Sequence, residues 1–369
     1  MVETWPSIRA PRITVLFVSS NGVGMGHLVR QIAIWRRIHF GTRGLFLTTC
    51  PAFGLFAAPG RHVEYFPSDI HSNLAVAEWN AWFGVRLEQL VRRHDVRILV
   101  LDANVPFPAV LNLRANFPDI RLVWVRRAMW KDHPENIERL QCQTHFDLVI
   151  EPGDIAERYD TGPTLQYRQG IVRVPPILLH DHTEALDRHS ACAALGLSPD
   201  AVNICIQLGA EVADNTVDLV SALCRDLRGR HGLAPLWMRS ILAPPRPGLE
   251  AVLPAARVFP LSRYMAAFDI AVSAAGYNTF HELHMAGIPT VFLPNTAPGM
   301  DNQAARADFA ADAGWARRAA RGVDSVIEQI TPLLDPEVRS AMRARMTEVP
   351  LTNGAAAAAA ALLTLAALP

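Results

Sequence analysis

The chain lacks most features that declare a function at once. It has only five cysteines in 369 residues: Cys50, Cys142, Cys192, Cys205 and Cys224. The number is odd and no C-x-x-C pair occurs, which argues against a disulfide scaffold or a structural zinc site and suits a reducing compartment. There is no excess of charge, with 35 Lys plus Arg against 35 Asp plus Glu, so no global field draws nucleic acid or another polyanion. Residues 1–12 are polar and carry two prolines, unlike a secretory signal. The longest apolar run is the alanine-rich tail 354–369, shorter than the roughly 20 residues that span a bilayer. A terminal helix is expected there. A Gly-Lys-Ser/Thr phosphate loop is absent. These absences point to a cytoplasmic protein with no membrane span and no nucleic-acid partner.

What is present is apolar sequence in a regular order. Half of the residues are hydrophobic, enough for two cores, and the length suits two domains. Short apolar runs at 13–18, 44–48, 63–66, 97–101, 121–125 and 148–150 read as strands. Between them lie helical patterns at 27–39, 75–94 and 106–117. Such alternation predicts βαβ units and a parallel sheet buried on both faces. The region 151–200, rich in turns and carrying Pro175-Pro176, reads as a connection. The pattern then restarts, with strands at 201–208, 235–238, 258–260, 268–273 and 290–293 and helices at 216–228, 302–313 and 323–334. The expected division is 1–178, 179–350 and a terminal helix or tail at 351–369.

Three segments carry chemistry. Asn21-Gly22-Val23-Gly24-Met25-Gly26-His27 joins the first strand to a helix, and its glycines let backbone approach a ligand. The spacing is G-x-G-x-G, not the dinucleotide fingerprint G-x-G-x-x-G. His27 at the rim of a parallel sheet is a candidate base, and Asp102, ending another strand, is a second. Arg126 and Arg127 follow a strand and can meet an anionic acceptor or a diphosphate, with Arg126 the site candidate of the two. The second segment, Ser273 to Pro289, runs from a strand through Gly276 into a helix. A helix N-terminus exposes unpaired N–H groups and a partial positive charge, so Gly276, Tyr277, Asn278 and Thr279 can hold a phosphate. Glu282, further along, can accept hydrogen bonds from a ribose diol. Gly209, in Gln207-Leu208-Gly209-Ala210, offers a second close approach to phosphate. The third segment, Asp301-Asn302-Gln303, combines a carboxylate with amides suited to sugar hydroxyls, and Asp301 can also cap the next helix. His281 and His284 do not form H-E-x-x-H, no third ligand is apparent, and no metal is expected.

Together these residues resemble the GT-B glycosyltransferases, in particular family 28, the MurG-like group. The resemblance rests on Gly22 to His27 and on Ala275-Gly276-Tyr277-Asn278-Thr279-Phe280-His281-Glu282, set against an S-G-x-x-T-x-x-E core, within a match from Met265 through Ala305. It implies an α/β fold with two Rossmann-like domains facing across a cleft. The first domain, with Gly22, Gly24, Gly26 and Arg126, would take the acceptor. The second would take a nucleotide sugar, usually UDP-linked, with Glu282 on ribose, Gly276 to Thr279 on the diphosphate, and Asp301, Asn302 and Gln303 on the sugar. The final helices would cross back to the first domain. The implied activity is inverting, metal-independent transfer to a hydroxyl of a small-molecule or glycan acceptor, with no cofactor beyond the co-substrate. A hydrolase or epimerase of the same fold, or a non-catalytic nucleotide-sugar-binding subunit, is the alternative.

Overall fold

The computed structural model describes residues 13–20, 24–38, 42–57, 61–209, 214–297 and 301–367. Among the described residues thirteen strands form two sheets. The first holds β1 (Ile13–Ser19), β2 (Thr42–Thr48), β3 (His62–Tyr65), β4 (Val96–Asp102), β5 (Arg121–Val125), β6 (Leu148–Pro152) and β7 (Val172–Val174). The second holds β8 (Val202–Gln207), β9 (Leu233–Met238), β10 (Ala255–Ala256), β11 (Ile270–Ser273), β12 (Thr290–Phe292) and β13 (Ala316–Arg318). Their orders are β3-β2-β1-β4-β5-β6-β7 and β10-β9-β8-β11-β12-β13. Every pairing is parallel. Near-continuous apolar strands such as Ile13–Ser19 and Val96–Asp102 require cover on both faces, which the helices supply.

Each sheet reverses its strand order once, between β1 and β4 in the first and between β8 and β11 in the second. At such a switch point the chains leaving neighbouring strands diverge and leave a crevice beyond their carboxyl ends. His27 opens the helix next after β1, Asp102 ends β4, and Gly276 follows β11. The polar motifs therefore sit where this topology opens a crevice.

Each sheet is sandwiched between two apolar clusters. In the first, Leu28, Ile32 and Ala33 cover one face, while Phe83, Leu87 and Leu90 of the helix Val76–His94 cover the other. In the second, Phe280, Leu283 and Trp315 lie on one face and Val220, Leu223 and Leu227 on the other. The tail helix Ala355–Ala366 buries Ala355, Ala358, Ala359, Leu362 and Leu365 in the first domain's core, beside the helix Gly26–Trp35. The chain thus crosses back. Small alanines permit that close approach, and Gly354 starts it: a Cβ there would lie 2.0 Å from the Pro175 carbonyl oxygen. Among the described residues no helix is long and apolar enough to cross a membrane.

Two expected elements differ. The strand expected at 258–260 is absent; the edge strand is Ala255–Ala256, and Phe259 instead packs edge-on against Phe56 of the first domain, ring centroids 5.1 Å apart. The expected helix 106–117 is a single turn, Pro108–Leu111, followed by a 3-10 turn, Leu113–Ala115.

Candidate active site

A cavity of about 300 Å³ lies between the two domains. The first domain contributes Gly24, Met25, Gly26, His27, Arg30, Asn104 and Arg127, and the second contributes Gly276, Tyr277, Asn278, Thr279, Asp301 and Gln303. A larger hollow of about 550 Å³ sits at the opposite edge of the first sheet, beside Ile13, Arg97 and Arg121. That edge holds the strand beginnings, not the carboxyl ends where parallel sheets bind ligands.

The helix Gly26–Trp35 follows β1 and holds His27 in its first turn, where the side chain reaches the end of β4. In the register of the sheet, Ser19 of β1 lies beside Asp102 of β4. His27 Nδ1 is 2.6 Å from Asp102 Oδ1. Asp102 also accepts from Arg30 Nε at 2.9 Å and Arg30 Nη2 at 2.6 Å. Burial pushes the Asp102 carboxyl up, but Arg30 and then His27 outweigh it and hold it below its ordinary value. An ionised carboxylate only accepts, so the imidazole proton sits on Nδ1 and the Nε2 lone pair is free. Burial, the largest influence, lowers the His27 pKa; Asp102 opposes that, and Arg30 and Arg127 reinforce it. The result is a neutral imidazole.

Across the cavity, the helix Tyr277–Met285 begins at Gly276, which makes no side-chain cap. Its first intrahelical bond runs from Phe280 N to Gly276 O at 2.8 Å, so the amides of Tyr277, Asn278 and Thr279 have no intrahelical acceptor. A Cβ at Gly276 would meet nothing nearer than Gln303 Nε2, at 3.9 Å, so the bare backbone keeps open space in front of these amides. Asn278 Oδ1 and Arg127 Nε are buried without a partner, an arrangement that calls for a ligand or water.

Charged groups weld the walls of the cavity together. Arg127 donates to Asp301 Oδ2 at 2.9 Å, and Arg306 donates to the same oxygen at 2.7 Å and to Asp154 Oδ2 at 2.7 Å. Burial pushes the Asp301 carboxyl up, but Arg306 and Arg127 hold it below its ordinary value. The same contest at Asp154 is won decisively by Arg306. The guanidinium carbons of Arg30, Arg306 and Arg127 lie 5.5, 5.6 and 6.0 Å from the Tyr277 ring. The Tyr277 hydroxyl donates to Gly153 O and accepts from Ile177 N. Lys131, the chain's one lysine, donates to the carbonyls of Thr296 and Ala297. Met129, in left-handed backbone with φ 61°, accepts from Asn302 N.

The structure brings together His27, Gly24, Gly26, Gly276, Tyr277, Asn278, Thr279, Asp301 and Gln303. Gly22 lies outside the described residues. Several expected positions need correction. Arg126 is not in the cleft: it is fully buried and paired with Glu151 at 2.7 Å, and its neighbour Arg127 reaches the cavity instead. Adjacent residues of an extended segment point to opposite sides, so a one-residue error reverses the assignment. Asp102 is not an available base, because Arg30 and His27 occupy both of its oxygens. Asn302, not Asp301, caps the helix Gln303–Asp312, by accepting from Ala305 N at 3.1 Å; its side-chain oxygen is spent there. Gln303 Oε1 accepts from Asn295 N, which leaves its amide NH₂ towards Gly276. Gly209 turns the chain after β8 with φ 84° and stands apart from the cavity.

Glu282 faces a separate hollow of about 60 Å³ along the same helix, lined by His180, Ser262, Met265 and Met285. Burial raises its carboxyl to about 7. His281 donates from Nδ1 to Tyr277 O and accepts at Nε2 from Ile155 N, while His284 packs edge-on against Trp315. Both imidazoles are buried in the core, and both ring nitrogens of His281 are taken by backbone groups. Reading the sequence missed Arg30, Asp154 and Arg306, and named Arg127 only beside Arg126. Only the three-residue spacing of His27 and Arg30, which puts both on one helix face, could have drawn attention to any of them.

Comparison with known proteins points to the same two-domain fold. Residues 254–362 match the Glycosyltransferase family 28 C-terminal domain. No curated protein matches by sequence. Among solved structures, MurG of Acinetobacter baumannii is similar at 14% identity with TM-score 0.61, covering 95% of this chain and 99% of that one. UGT2 of Phytolacca americana, solved with UDP-2-fluoroglucose and pterostilbene, is similar at 13% identity with TM-score 0.65, covering 96% and 99%. MnaA of S. aureus, solved with UDP, is similar at 11% identity with TM-score 0.63, covering 95% and 95%. The chain shares the two-domain GT-B fold of these structures, and its residues 254–362 are similar to the C-terminal domain of Glycosyltransferase family 28.

Proposed function

We propose that the protein is an inverting, metal-independent glycosyltransferase that moves a sugar from a nucleoside diphosphate, UDP, to an acceptor hydroxyl. One observation carries the reading: a neutral imidazole backed by a carboxylate faces, across one cavity, an uncapped helix N-terminus.

The diphosphate of the donor would lie on the amides of Tyr277, Asn278 and Thr279. The helix dipole and the nearby Arg30 and Arg127 supply the positive charge that a metal ion supplies elsewhere. Asp301 Oδ1 and the Gln303 NH₂ are the groups left over for sugar hydroxyls. Glu282, on the same helix but facing a separate hollow, would reach the ribose where the nucleoside extends along that helix beyond the diphosphate.

The acceptor, on a small molecule or glycan, would enter from the first domain beside Gly24 and Gly26. Its oxygen attacks the anomeric carbon from the face opposite the phosphate. His27 Nε2 takes the hydroxyl proton as the new C–O bond forms. The bond to the diphosphate oxygen breaks, and the nucleoside diphosphate leaves with the electron pair. Each well-placed donor to the leaving group is worth about 2.7–4 kcal/mol in the transition state. Asp102 holds the tautomer and stabilises the imidazolium that forms. A cytoplasmic setting belongs to the same reading and accords with five unpaired thiols.

The test is a thermal-shift screen of nucleoside diphosphates, followed by turnover of the matching nucleotide sugar with and without candidate acceptors. A diphosphate at 100 times its Kd should add about 2.7 kcal/mol of stability. Acceptor-dependent loss of donor supports transfer. Stoichiometric hydrolysis without acceptor assigns the site to a hydrolase. Tight donor binding with no turnover under any pairing assigns it to a binding subunit.

A further inference from the structure

Arg30 lies one turn along the helix from His27 and is 2% exposed. Its Nε and Nη2 take both oxygens of Asp102, at 2.9 and 2.6 Å. One of those oxygens is the same Oδ1 that holds His27 Nδ1 at 2.6 Å. A second contact distinguishes Arg30 from a simple ion-pair partner: its Nη2 lies 3.1 Å from His27 Nδ1. With Asp102 ionised both nitrogens bear hydrogen, so this contact is no hydrogen bond. It sets positive charge beside the imidazole.

A buried ion pair is a poor source of stability compared with apolar groups of the same volume. Its geometry here acts on the imidazole. We propose that Arg30 is the positioning residue of the base, fixing Asp102 through both oxygens and keeping His27 neutral with its Nε2 lone pair on the cleft. The inference rests on the reading of His27 as the base.

The charges around His27 are Asp102 from β4, Arg30 from its own helix and Arg127 from the segment after β5. Facing them across the cavity are Asp301, already held by Arg127 and Arg306, and the Tyr277 ring against Arg30. Asp102 alone would favour the imidazolium, which cannot accept a proton. Burial is the largest influence against it, and Arg30, with Arg127, adds to burial while leaving the orientation intact. The carboxylate can then align the base without protonating it.

The test is the titration of the His27 imidazole by ¹⁵N NMR in the full chain, assigned with His27→Ala. It is recorded for the wild type, Arg30→Met and Arg30→Lys, alongside the pH profile of kcat/KM. Arg30→Met keeps the stem and removes the charge. The His27 titration and the acid limb of kcat/KM should both move up by roughly one pH unit or more. Arg30→Lys keeps the charge but not the fork. Its titration should stay near wild type while kcat falls roughly tenfold or more with KM for the donor unchanged. A wild-type titration and an unshifted acid limb in Arg30→Met overturn the proposal. If Arg30→Met does not fold, a wild-type kcat in Arg30→Lys overturns it, and a reduced kcat at constant KM supports it. The titration needs no substrate. If no donor turns over yet the titration moves, the transferase reading fails and the hold of Arg30 on the imidazole stands. If transfer proceeds and the titration does not move, the inference fails alone.

Discussion

Arg127 of the first domain and Asp301 of the second meet at 2.9 Å, and Arg306 holds the same Asp301 oxygen from the other side at 2.7 Å. The acid that opens the expected sugar-binding segment is therefore fixed by both domains at once. Only its second oxygen is left to read a hydroxyl.

Arg127→Met should remove the cross-domain half of this arrangement. A lost hydrogen bond between charged groups costs about 1.5–3 kcal/mol. We expect a lower urea midpoint and a higher KM for the donor, because Asp301 is then steered by Arg306 alone. A midpoint and KM equal to wild type would show that the contact contributes neither stability nor position.

His27→Ala should lower kcat by about 10²–10⁴ while donor Kd stays near wild type, since a general base acts in the chemical step. Asp102→Asn should fall in the same range. The Asn amide can present a donor to Nδ1, moving the imidazole proton to Nε2, where it blocks the base. Single-turnover rates and donor titrations check both. Substantial activity in His27→Ala would move the base elsewhere.

Glu282 makes opposite demands on stability and binding. Burial raises its carboxyl from 4.5 to about 7. The folded chain thus binds more protons here than the unfolded chain between these values. Its contribution to stability is fullest below about pH 4.5 and is lost as pH rises towards about 7. Glu282→Gln removes the titration. Its melting temperature should exceed that of wild type at about pH 8 by more than at about pH 5. Donor binding should show the reverse trend, because ribose hydroxyls donate to the ionised carboxylate. Wild-type affinity should strengthen from about pH 6 to 8, and the Gln variant should be weaker by roughly tenfold and flat with pH.

Gly276→Ala separates binding from folding. The backbone there has φ −68°, open to any residue, and an added Cβ meets only Gln303 Nε2 at 3.9 Å. The melting temperature should change little, in the way of substitutions that disturb no contact, by about 0.5 kcal/mol or less. The methyl group would instead occupy space in front of the helix amides, so nucleoside diphosphate affinity should drop. Unchanged affinity by calorimetry would place the phosphate elsewhere.

The architecture was legible because its signals are local. Runs such as Ile13–Ser19 and Arg121–Val125 are too apolar and too β-branched to be anything but buried strands, and the glycine turns mark where they end. Two edge strands were not legible. Val172–Val174 is a short strand with two exposed residues, and Ala316–Arg318 holds two arginines, so neither carries an apolar run. The helix Pro134–Gln141 has one buried residue, Leu140. In the site, His27, Gly276 and Gln303 were legible from their motifs. The partners that set their chemistry were not, because Asp102–Arg30 and Asp301–Arg127 are separated by 72 and 174 residues. No local pattern encodes a contact of that kind. The choice of Arg126 over Arg127 shows the same limit, since the side of the strand was decided by Glu151, which only the fold brings near.

The most direct measurement is calorimetric titration of UDP into wild type, His27→Ala and Glu282→Ala at about pH 8. The account predicts one site per chain, wild-type affinity in His27→Ala and affinity lower by roughly tenfold in Glu282→Ala. Absence of binding to wild type, or equal affinity in Glu282→Ala, would contradict a donor nucleotide laid along the helix Tyr277–Met285.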